Sequence, residues 1–208
     1  MAKILHINSS PRENSRSLAV ATAFLDAYAA KNPGDTVETL NLFEANLMAF
    51  DGAAMQAKYA VLSGGAPTGE EVAAWARVTA LADHLKSFDK YVFNVPMWNF
   101  GVPYVLKQYI DILTQPGITF SYDPSEGYRG LVTGKKAFVV YARGGEYEEG
   151  TQAASLDHQK PWLNFALSFI GITDLSSVEV DGTLYGLAVA DERTAAAIAK
   201  AKPIAEAF

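Results

Sequence analysis

The stretch Lys-Ile-Leu-His-Ile-Asn-Ser-Ser-Pro-Arg-Glu-Asn-Ser-Arg-Ser, residues 3–17, joins a short apolar segment to a polar loop rich in serine. Lys3 to Asn8 has the length and composition of a buried strand, and Ser9-Ser10-Pro11 ends it. From Arg16 to about Lys31, apolar residues recur at three- and four-residue spacing, which predicts a helix closed by Asn32-Pro33-Gly34. A strand, a loop and a helix in this order are typical of an α/β fold.

The alternation of strand and helix continues along the chain. Further strands are predicted at Thr36–Leu42, Tyr91–Val95, Ala137–Ala142 and Ser176–Val180. Further helices are predicted at about Ala53–Val61, Thr68–Ser87, Pro103–Leu113, Leu156–Ile170 and Asp191–Ala207. Ile118 to Tyr122 interrupts the alternation and indicates an extended segment that leads into a loop or hairpin.

We therefore predict a doubly wound, five-stranded parallel sheet with helices on both faces, which suits the flavodoxin-like order 2-1-3-4-5. Periodicity alone does not fix that order. No linker is evident, so we expect one domain over residues 1–208.

Composition and charge exclude several classes of function. The 208-residue chain has no cysteine, a net charge of −6 and no basic run, which argues against disulfides, thiolate chemistry and nucleic-acid partners. His6, His84 and His158 lie far apart without the spacing of metal ligands, so we expect no metal site. No apolar stretch is long enough to span a bilayer, and the segment at residues 4–7 is too short for a signal peptide. We expect a cytoplasmic protein with no membrane partner.

Three loops are the best candidates for a ligand site. In an open α/β sheet, ligands bind beyond the carboxyl ends of the strands at the point where the strand order reverses. The relevant loops are Ser9 to Ser17, Pro96 to Phe100, and Arg143 to Tyr147. The first combines serine hydroxyls with a helix start and can hold a phosphate, although Ser15 or Ser17 acting only as a helix cap is an equal alternative. It matches neither the P-loop nor the dinucleotide fingerprint.

The other two loops suit a flat ring. Trp98 and Phe100 flank Asn99 and offer ring surfaces beside an amide, although ordinary core packing of the two aromatic residues is the simpler alternative. Gly144 and Gly145 follow a strand and let the backbone approach a ligand closely.

Together these segments resemble the family of FMN-dependent NADH:quinone oxidoreductases that includes the bacterial azoreductases. The resemblance extends along nearly the whole chain. It rests on Ser10, Ser15-Arg16-Ser17, Pro96-Met97-Trp98-Asn99-Phe100, Gly117–Phe120, Gly130–Lys136, Arg143-Gly144-Gly145 and Phe169–Ile172. Ala142 departs from the family, because many relatives have a hydroxyl residue before Arg-Gly-Gly, and one flavin hydrogen bond is then missing.

The resemblance implies FMN as the cofactor and assigns residues to it. Ser10, Ser15, Arg16 and Ser17 would hold the phosphate. Pro96, Met97, Trp98, Asn99 and Phe100 would line the flavin, with Asn99 at its polar edge. Arg143, Gly144 and Gly145 would also bind the cofactor, and the two glycines would bring backbone donors near flavin N1 and O2, where negative charge develops on reduction. The substrate wall would include Phe120, Tyr122, Trp162 and Phe165.

The implied activity is ping-pong transfer of a hydride equivalent from NADH or NADPH through FMN to a quinone or an azo compound. The cofactor carries the redox chemistry, so no protein residue is predicted to be catalytic. Two alternatives are a flavin reductase and a flavodoxin-type electron carrier without turnover. Carriers usually have a Thr-x-Thr-Gly-x-Thr phosphate loop and lack the aromatic segment at Phe120 to Tyr122, so neither feature favours a carrier.

The chain is longer than a flavodoxin-like core requires, which predicts a homodimer. The surplus lies in Ala45 to Gly69 and Gly117 to Arg129. Both segments carry large apolar residues outside the sheet pattern: Met48, Phe50, Met55, Tyr59, Phe120, Tyr122 and Tyr128. Exposed on a monomer they would form a partner surface, whereas the alternative is that they fold back over their own sheet. The resemblance favours the dimer, since relatives pair so that each flavin is walled partly by the other chain.

Overall fold

The computed structural model describes residues 1–148 and 150–208. A five-stranded parallel sheet has the order β2-β1-β3-β6-β7, and β4 and β5 form a separate antiparallel hairpin. The strands are β1 (Lys3–Asn8), β2 (Thr36–Asn41), β3 (Lys90–Pro96), β4 (Phe120–Asp123), β5 (Gly127–Gly130), β6 (Lys136–Ala142) and β7 (Asp174–Val180). The helices are α1 (Arg16–Lys31), α2 (Gly52–Leu62), α3 (Glu70–Lys86), α4 (Tyr104–Leu113), α5 (Lys160–Phe169) and α6 (Leu187–Ala207).

The predicted strand order and the hairpin are confirmed. Counting only the strands of the main sheet, the observed order is 2-1-3-4-5. The segment that interrupted the alternation forms the β4–β5 hairpin, where Tyr122 lies opposite Tyr128.

Two helices begin four residues from where they were predicted. The helix predicted at Leu156–Ile170 is divided into a 3₁₀ turn, Gln152–Leu156, and α5, which begins at Lys160. Asp157 makes the break, because its carboxylate accepts the backbone N–H groups of Gln159 and Lys160 and caps the new helix. The helix α6 begins at Leu187, directly after Gly186, and not at Asp191.

Alternate side chains of the strands pack into two hydrophobic cores, one on each face of the sheet. On one face, α1 and α6 cover Ile4, Val92 and Phe138, and the ring of Phe24 stacks on that of Phe138 with centroids 3.9 Å apart. On the other face, α3, α4 and α5 cover a second cluster that includes Leu5 and neighbouring strand residues. Burial on both faces explains why the central strands are almost entirely apolar. Among the described residues, no helix has the length and apolar character needed to cross a membrane.

Candidate cofactor site

The three predicted loops meet at one edge of the sheet. The strands β1, β3 and β6 are adjacent, with Asn8 opposite Asn94 and Pro96 opposite Ala142 at their carboxyl ends. The loops that leave these strands therefore start side by side. The strand order reverses here, since the chain moves outward from β1 to β2 on one side and to β3 and then β6 on the other.

The serine loop places buried hydroxyls around free backbone donors. Ser10, Ser15 and Ser17 are all buried, and the Oγ atoms of Ser15 and Ser17 lie 3.1 Å apart. Ser15 is the N-cap of α1 and its Oγ accepts the N–H of Leu18. Among the described residues, no acceptor is present for the backbone N–H groups of Arg16 and Ser17. A capping role for Ser15 is therefore real, but the helix start still presents donors suited to an anion.

The side chain of Arg16 points away from these donors. Its guanidinium pairs with Asp191 on α6. The backbone of Arg16, and not its charge, is thus the part of this residue that the loop offers to a ligand.

The second loop is a tight turn with strained backbone. Trp98 and Gly101 exchange two backbone hydrogen bonds, of 2.9 and 3.0 Å. Between them Asn99 has φ 47° and Phe100 has φ 69°, the left-handed values of a type I′ turn. Asparagine tolerates this region, whereas phenylalanine is rarely found there, and such strain is concentrated at ligand sites.

This turn projects its aromatic residues outward. Trp98 is 36% exposed and Phe100 is 47% exposed, so the alternative that they form ordinary core is wrong. The Trp98 ring packs against the rings of Phe43 and Tyr104. His158 donates its backbone N–H to the carbonyl of Phe100 at 3.0 Å. The turn is therefore held rigidly while its rings remain available to a flat ligand.

The third loop turns its backbone N–H groups outward. The carbonyls of Arg143, Gly144 and Gly145 accept N–H groups from the segment 182–184, at 3.0, 3.2 and 2.9 Å. Within the described part of the chain, the N–H groups of Gly144 and Gly145 donate to no acceptor. Two fixed donors at the end of β6 are what a ring with a developing negative charge requires.

The Arg143 side chain braces this turn from behind. It is 5% exposed, and its guanidinium binds both carboxylate oxygens of Asp181, at 2.5 and 2.8 Å, and Asp157 at 2.7 Å. Burial acts to lower the pKa of Arg143, but the hydrogen bond and charge of Asp181 and the charge of Asp157 raise it overall. The side chain is thus committed to protein partners. A cavity of about 700 Å³ adjoins this cluster, but it contains none of the residues 9–17 or 96–100, so we do not place the cofactor there.

Three further polar residues are linked to the serine loop by hydrogen bonds and carry no motif signal. Asn94 is fully buried in β3 and donates to Asn8 in β1 at 2.9 Å, and His6 lies 2.9 Å from the Asn94 side-chain oxygen. Polar residues in central strands were the available clue. Their meaning depends on the register between β1 and β3, which the sequence does not show.

The aromatic contacts of the four candidate substrate residues, and the cavity that two of them line, include no residue of the three loops. Phe120 is 6% exposed and packs against Tyr128 and Phe169, so it supports the surface and does not form it. Tyr122 and Phe165 are exposed. Trp162 and Phe165 line an apolar cavity of about 450 Å³ that includes none of the twelve candidate cofactor residues.

The donors and rings at the sheet edge fit FMN. Free N–H groups at the start of α1 suit its phosphate, the outward rings of the 98–101 turn suit its flat face, and the N–H groups of Gly144 and Gly145 suit its anionic edge. Ala142, the departure from the family noted in the sequence, lies in β6 with its side chain buried.

Comparison with known proteins agrees with this geometry. The family model for the flavodoxin-like fold matches residues 2–204. The chain is 51% identical over 187 residues to an FMN-dependent NADH:quinone oxidoreductase of Nitratidesulfovibrio vulgaris (strain DP4), with 89% of each chain covered. The solved azoreductase from Bacillus anthracis str. Sterne is similar with a TM-score of 0.90 at 32% identity, over 100% of both chains. An FMN-dependent NADH-azoreductase from Bacillus anthracis str. Ames Ancestor, solved in complex with FMN, is similar with a TM-score of 0.84 at 27% identity, over 99% of this chain and 100% of that one. The chain therefore belongs to the flavodoxin-like fold family and, within it, to the FMN-dependent NADH:quinone oxidoreductases and azoreductases.

Proposed function

We propose that this protein is an FMN-dependent NADH:quinone oxidoreductase that also reduces azo compounds. The observation that carries the proposal is that three kinds of group lie at one edge of the sheet. They are hydrogen-bond donors suited to a phosphate, outward-facing aromatic rings, and the N–H groups of Gly144 and Gly145. The relatives described above are named for this chemistry. Bound FMN supplies the hydride acceptor and donor.

The chain's own residues bind and orient the cofactor. Ser10, Ser15 and Ser17 and the start of α1 hold the phosphate. The segment Pro96–Phe100 lines the ring, and Asn99 faces its polar edge. Gly144 and Gly145 donate their N–H groups to the N1–O2 side, where they stabilise negative charge without any proton transfer from a side chain. Arg143 keeps these two donors in place through its pairs with Asp157 and Asp181.

One flat face over the ring serves both substrates in turn, so the kinetics are ping-pong. The nicotinamide nucleotide and the quinone or azo acceptor both need contact with the same ring edge. NADPH as a second donor remains part of the proposal. A cytoplasmic location and a single domain over residues 1–208 stay predictions.

Two rival functions make different predictions. A flavodoxin-type carrier would bind FMN without sustained oxidation of NADH, and a flavin reductase would oxidise NADH with free flavin as the acceptor. The hairpin β4–β5 with its exposed Tyr122 and Tyr128 is an addition that electron carriage alone does not require.

Steady-state oxidation of NADH tests the three functions together. Protein mixed with FMN and desalted should stay yellow, and it should oxidise NADH rapidly only when a quinone is added. Turnover with free FMN alone would favour a flavin reductase, and no turnover with either acceptor would favour a carrier. Colourless protein that does not quench flavin fluorescence would contradict the proposal as a whole.

The proposed unit is a homodimer with a shared active site. Met48 and Phe120 fold into their own chain, as the alternative to a dimer had it, but Tyr59, Tyr122 and Tyr128 are each about 60% exposed or more. Phe165 and Phe169 continue this aromatic surface from the hairpin. Because the ring contacts of this surface include no residue of the three loops, we infer that it covers the flavin of a partner copy.

Light scattering tests the dimer. The chain has a mass of 22.4 kDa, so a particle of twice that mass is expected. A matched pair of variants, Tyr122→Ser in the hairpin and Tyr185→Ser in the exposed loop before α6, should separate loss of the interface from the general effect of removing an exposed tyrosine ring. Only Tyr122→Ser should raise the KM for quinone or favour the monomer. A monomer with full quinone reduction would contradict the shared site.

A further inference from the structure

A chain of buried hydrogen bonds runs from the sheet interior to the serine loop, with Asn94 at its centre. The Asn94 side-chain amide donates to Oδ1 of Asn8 at 2.9 Å and to Oγ of Ser17 at 3.5 Å. The backbone carbonyl of Asn94 accepts the Ser9 hydroxyl at 2.7 Å. Oδ1 of Asn8 also accepts the backbone N–H of Ser10, at 3.0 Å. Asn94 is therefore linked, directly or through Asn8, to three serines of the loop.

The orientation of the Asn94 amide determines the tautomer of His6. The Asn94 nitrogen donates to Asn8, so its oxygen is an acceptor and the His6 Nε2, at 2.9 Å, must be the donor. The other ring nitrogen, Nδ1, lies 3.2 Å from the hydroxyl of Thr39, which then donates to it. Burial lowers the pKa of His6 despite the opposing effect of the Asn94 hydrogen bond, which agrees with a neutral ring that carries its proton on Nε2.

The position of this polar chain is unusual. His6 is 3% exposed and Asn94 is fully buried, both in central strands of a parallel sheet where apolar residues are the norm. If the Asn94 amide were reversed, its oxygen would face Oδ1 of Asn8 and the hydroxyl of Ser17, and the His6 donor would face an amide nitrogen. One orientation alone satisfies every partner.

We propose that Asn94, held in one orientation by Asn8 and His6, is a positioning residue that sets the Ser17 hydroxyl and the Ser10 backbone N–H for the phosphate of FMN. This inference rests on the proposed assignment of the serine loop to that phosphate. It adds two residues, neither in contact with the cofactor, that determine how strongly the phosphate is recognised.

The test compares the affinity for FMN with that for riboflavin, which has the same ring and no phosphate. Flavin-stripped protein is titrated with each, and quenching of flavin fluorescence gives the Kd. In Asn94→Ala the Kd for FMN should rise about tenfold, as expected for the loss of buried hydrogen bonds, and that for riboflavin less than about twofold. His6→Leu should raise the FMN Kd about threefold. In the Asn94→Ala background, His6→Leu should add nothing, because its effect passes through Asn94.

Val92→Ala is the matched control, since Val92 lies two residues before Asn94 on the same face of β3 and contributes only packing. Loss of FMN and riboflavin binding to the same degree, or the same selective loss in Val92→Ala, would overturn the proposal. So would independent, additive effects of His6→Leu and Asn94→Ala. If Asn94→Ala does not fold, His6→Leu decides, with a selective loss of FMN as support and an unchanged FMN Kd as refutation. A wild-type protein with no preference for FMN over riboflavin would instead overturn the phosphate assignment itself.

Discussion

Arg143 and Asp181 form a bidentate ion pair that ties the end of β6 to the end of β7. Both carboxylate oxygens of Asp181 accept from the guanidinium, at 2.5 and 2.8 Å, and Asp157 binds its remaining side at 2.7 Å. All three side chains are largely shielded from water, with side-chain exposures of 5%, 16% and 8% for Arg143, Asp181 and Asp157. The Gly144–Gly145 turn therefore directly follows a residue that is fixed by a largely shielded cluster of charged side chains.

Arg143→Met is expected to lower the free energy of unfolding by about 3 kcal/mol, because it leaves two largely shielded carboxylates without their cation. FMN and riboflavin should both bind more weakly and to the same degree, since the turn contacts the ring and not the phosphate. Urea denaturation and flavin titration measure the two effects. Arg193→Met is the matched control, because the Arg193–Glu146 pair is 35% and 46% exposed and should contribute less than about 1 kcal/mol. Equal destabilisation by both substitutions would contradict the bracing role.

Ser17→Asp is expected to weaken FMN much more than riboflavin. Ser17 is fully buried at the start of α1, where a carboxylate would repel a phosphate at a cost on the order of 1–3 kcal/mol. Fluorescence quenching gives both affinities. Ser155→Asp adds the same charge at an exposed position in the 3₁₀ turn and should leave both affinities unchanged. The same loss for both flavins would show that this loop does not bind phosphate.

Phe100→Gly is expected to weaken flavin binding and to relieve backbone strain in the turn. The residue has φ 69° and is 47% exposed, so glycine removes backbone strain and loses little packing. We expect the free energy of unfolding to change by less than about 1 kcal/mol, because the strain relieved offsets the added freedom of the unfolded chain. Both flavins should bind more weakly through loss of the ring. Phe100→Ala loses the same ring but keeps the strained backbone, so it should be the less stable variant. The opposite order of stability would mean that the turn is not strained.

The three loops were predictable because their strands and the order of the sheet follow from periodicity and short motifs. The start of α5 was misplaced although Pro161 gives a signal for it, since proline is favoured in the first turn of a helix. The partners of Arg143 could not be predicted. Asp157 and Asp181 lie 14 and 38 residues away along the chain, and only the packing of the loops after β6 and β7 brings them together.

Asn94 shows the limit more clearly. In the sequence it is one polar residue inside the apolar segment Tyr91–Val95, with nothing to distinguish it from a tolerated exception. Its partner Asn8 lies directly opposite on β1, and that register is set by the packing of two parallel strands separated by more than eighty residues. Motif comparison identifies groups that contact a cofactor, whereas groups that act through a neighbour need the fold.

Ping-pong kinetics follow from a single face over the flavin. With NADH and quinone varied together, double-reciprocal plots should give parallel lines, because the first product leaves before the acceptor binds. Quinone at high concentration should compete with NADH for the same face. Intersecting lines would indicate a ternary complex and two separate sites.

The stability of the protein should fall with acid in a window that His6 sets. Burial lowers the pKa of His6 below its usual value of 6.5, so between that value and the folded pKa the unfolded chain binds a proton that the folded chain does not. The penalty is absent above pH 6.5, grows as the pH falls, by at most about 1.4 kcal/mol per pH unit, and stops growing below the folded pKa. His6→Leu removes the titrating imidazole and with it this penalty. As the pH is lowered from 7 to 5, the unfolding free energy of the variant should therefore rise relative to that of the wild type. Val92→Ala serves as the control, because Val92 lies opposite His6 in the register of β1 and β3 and has no titratable side chain. A difference between His6→Leu and wild type that stays constant over this range would show that His6 is not held in its neutral form.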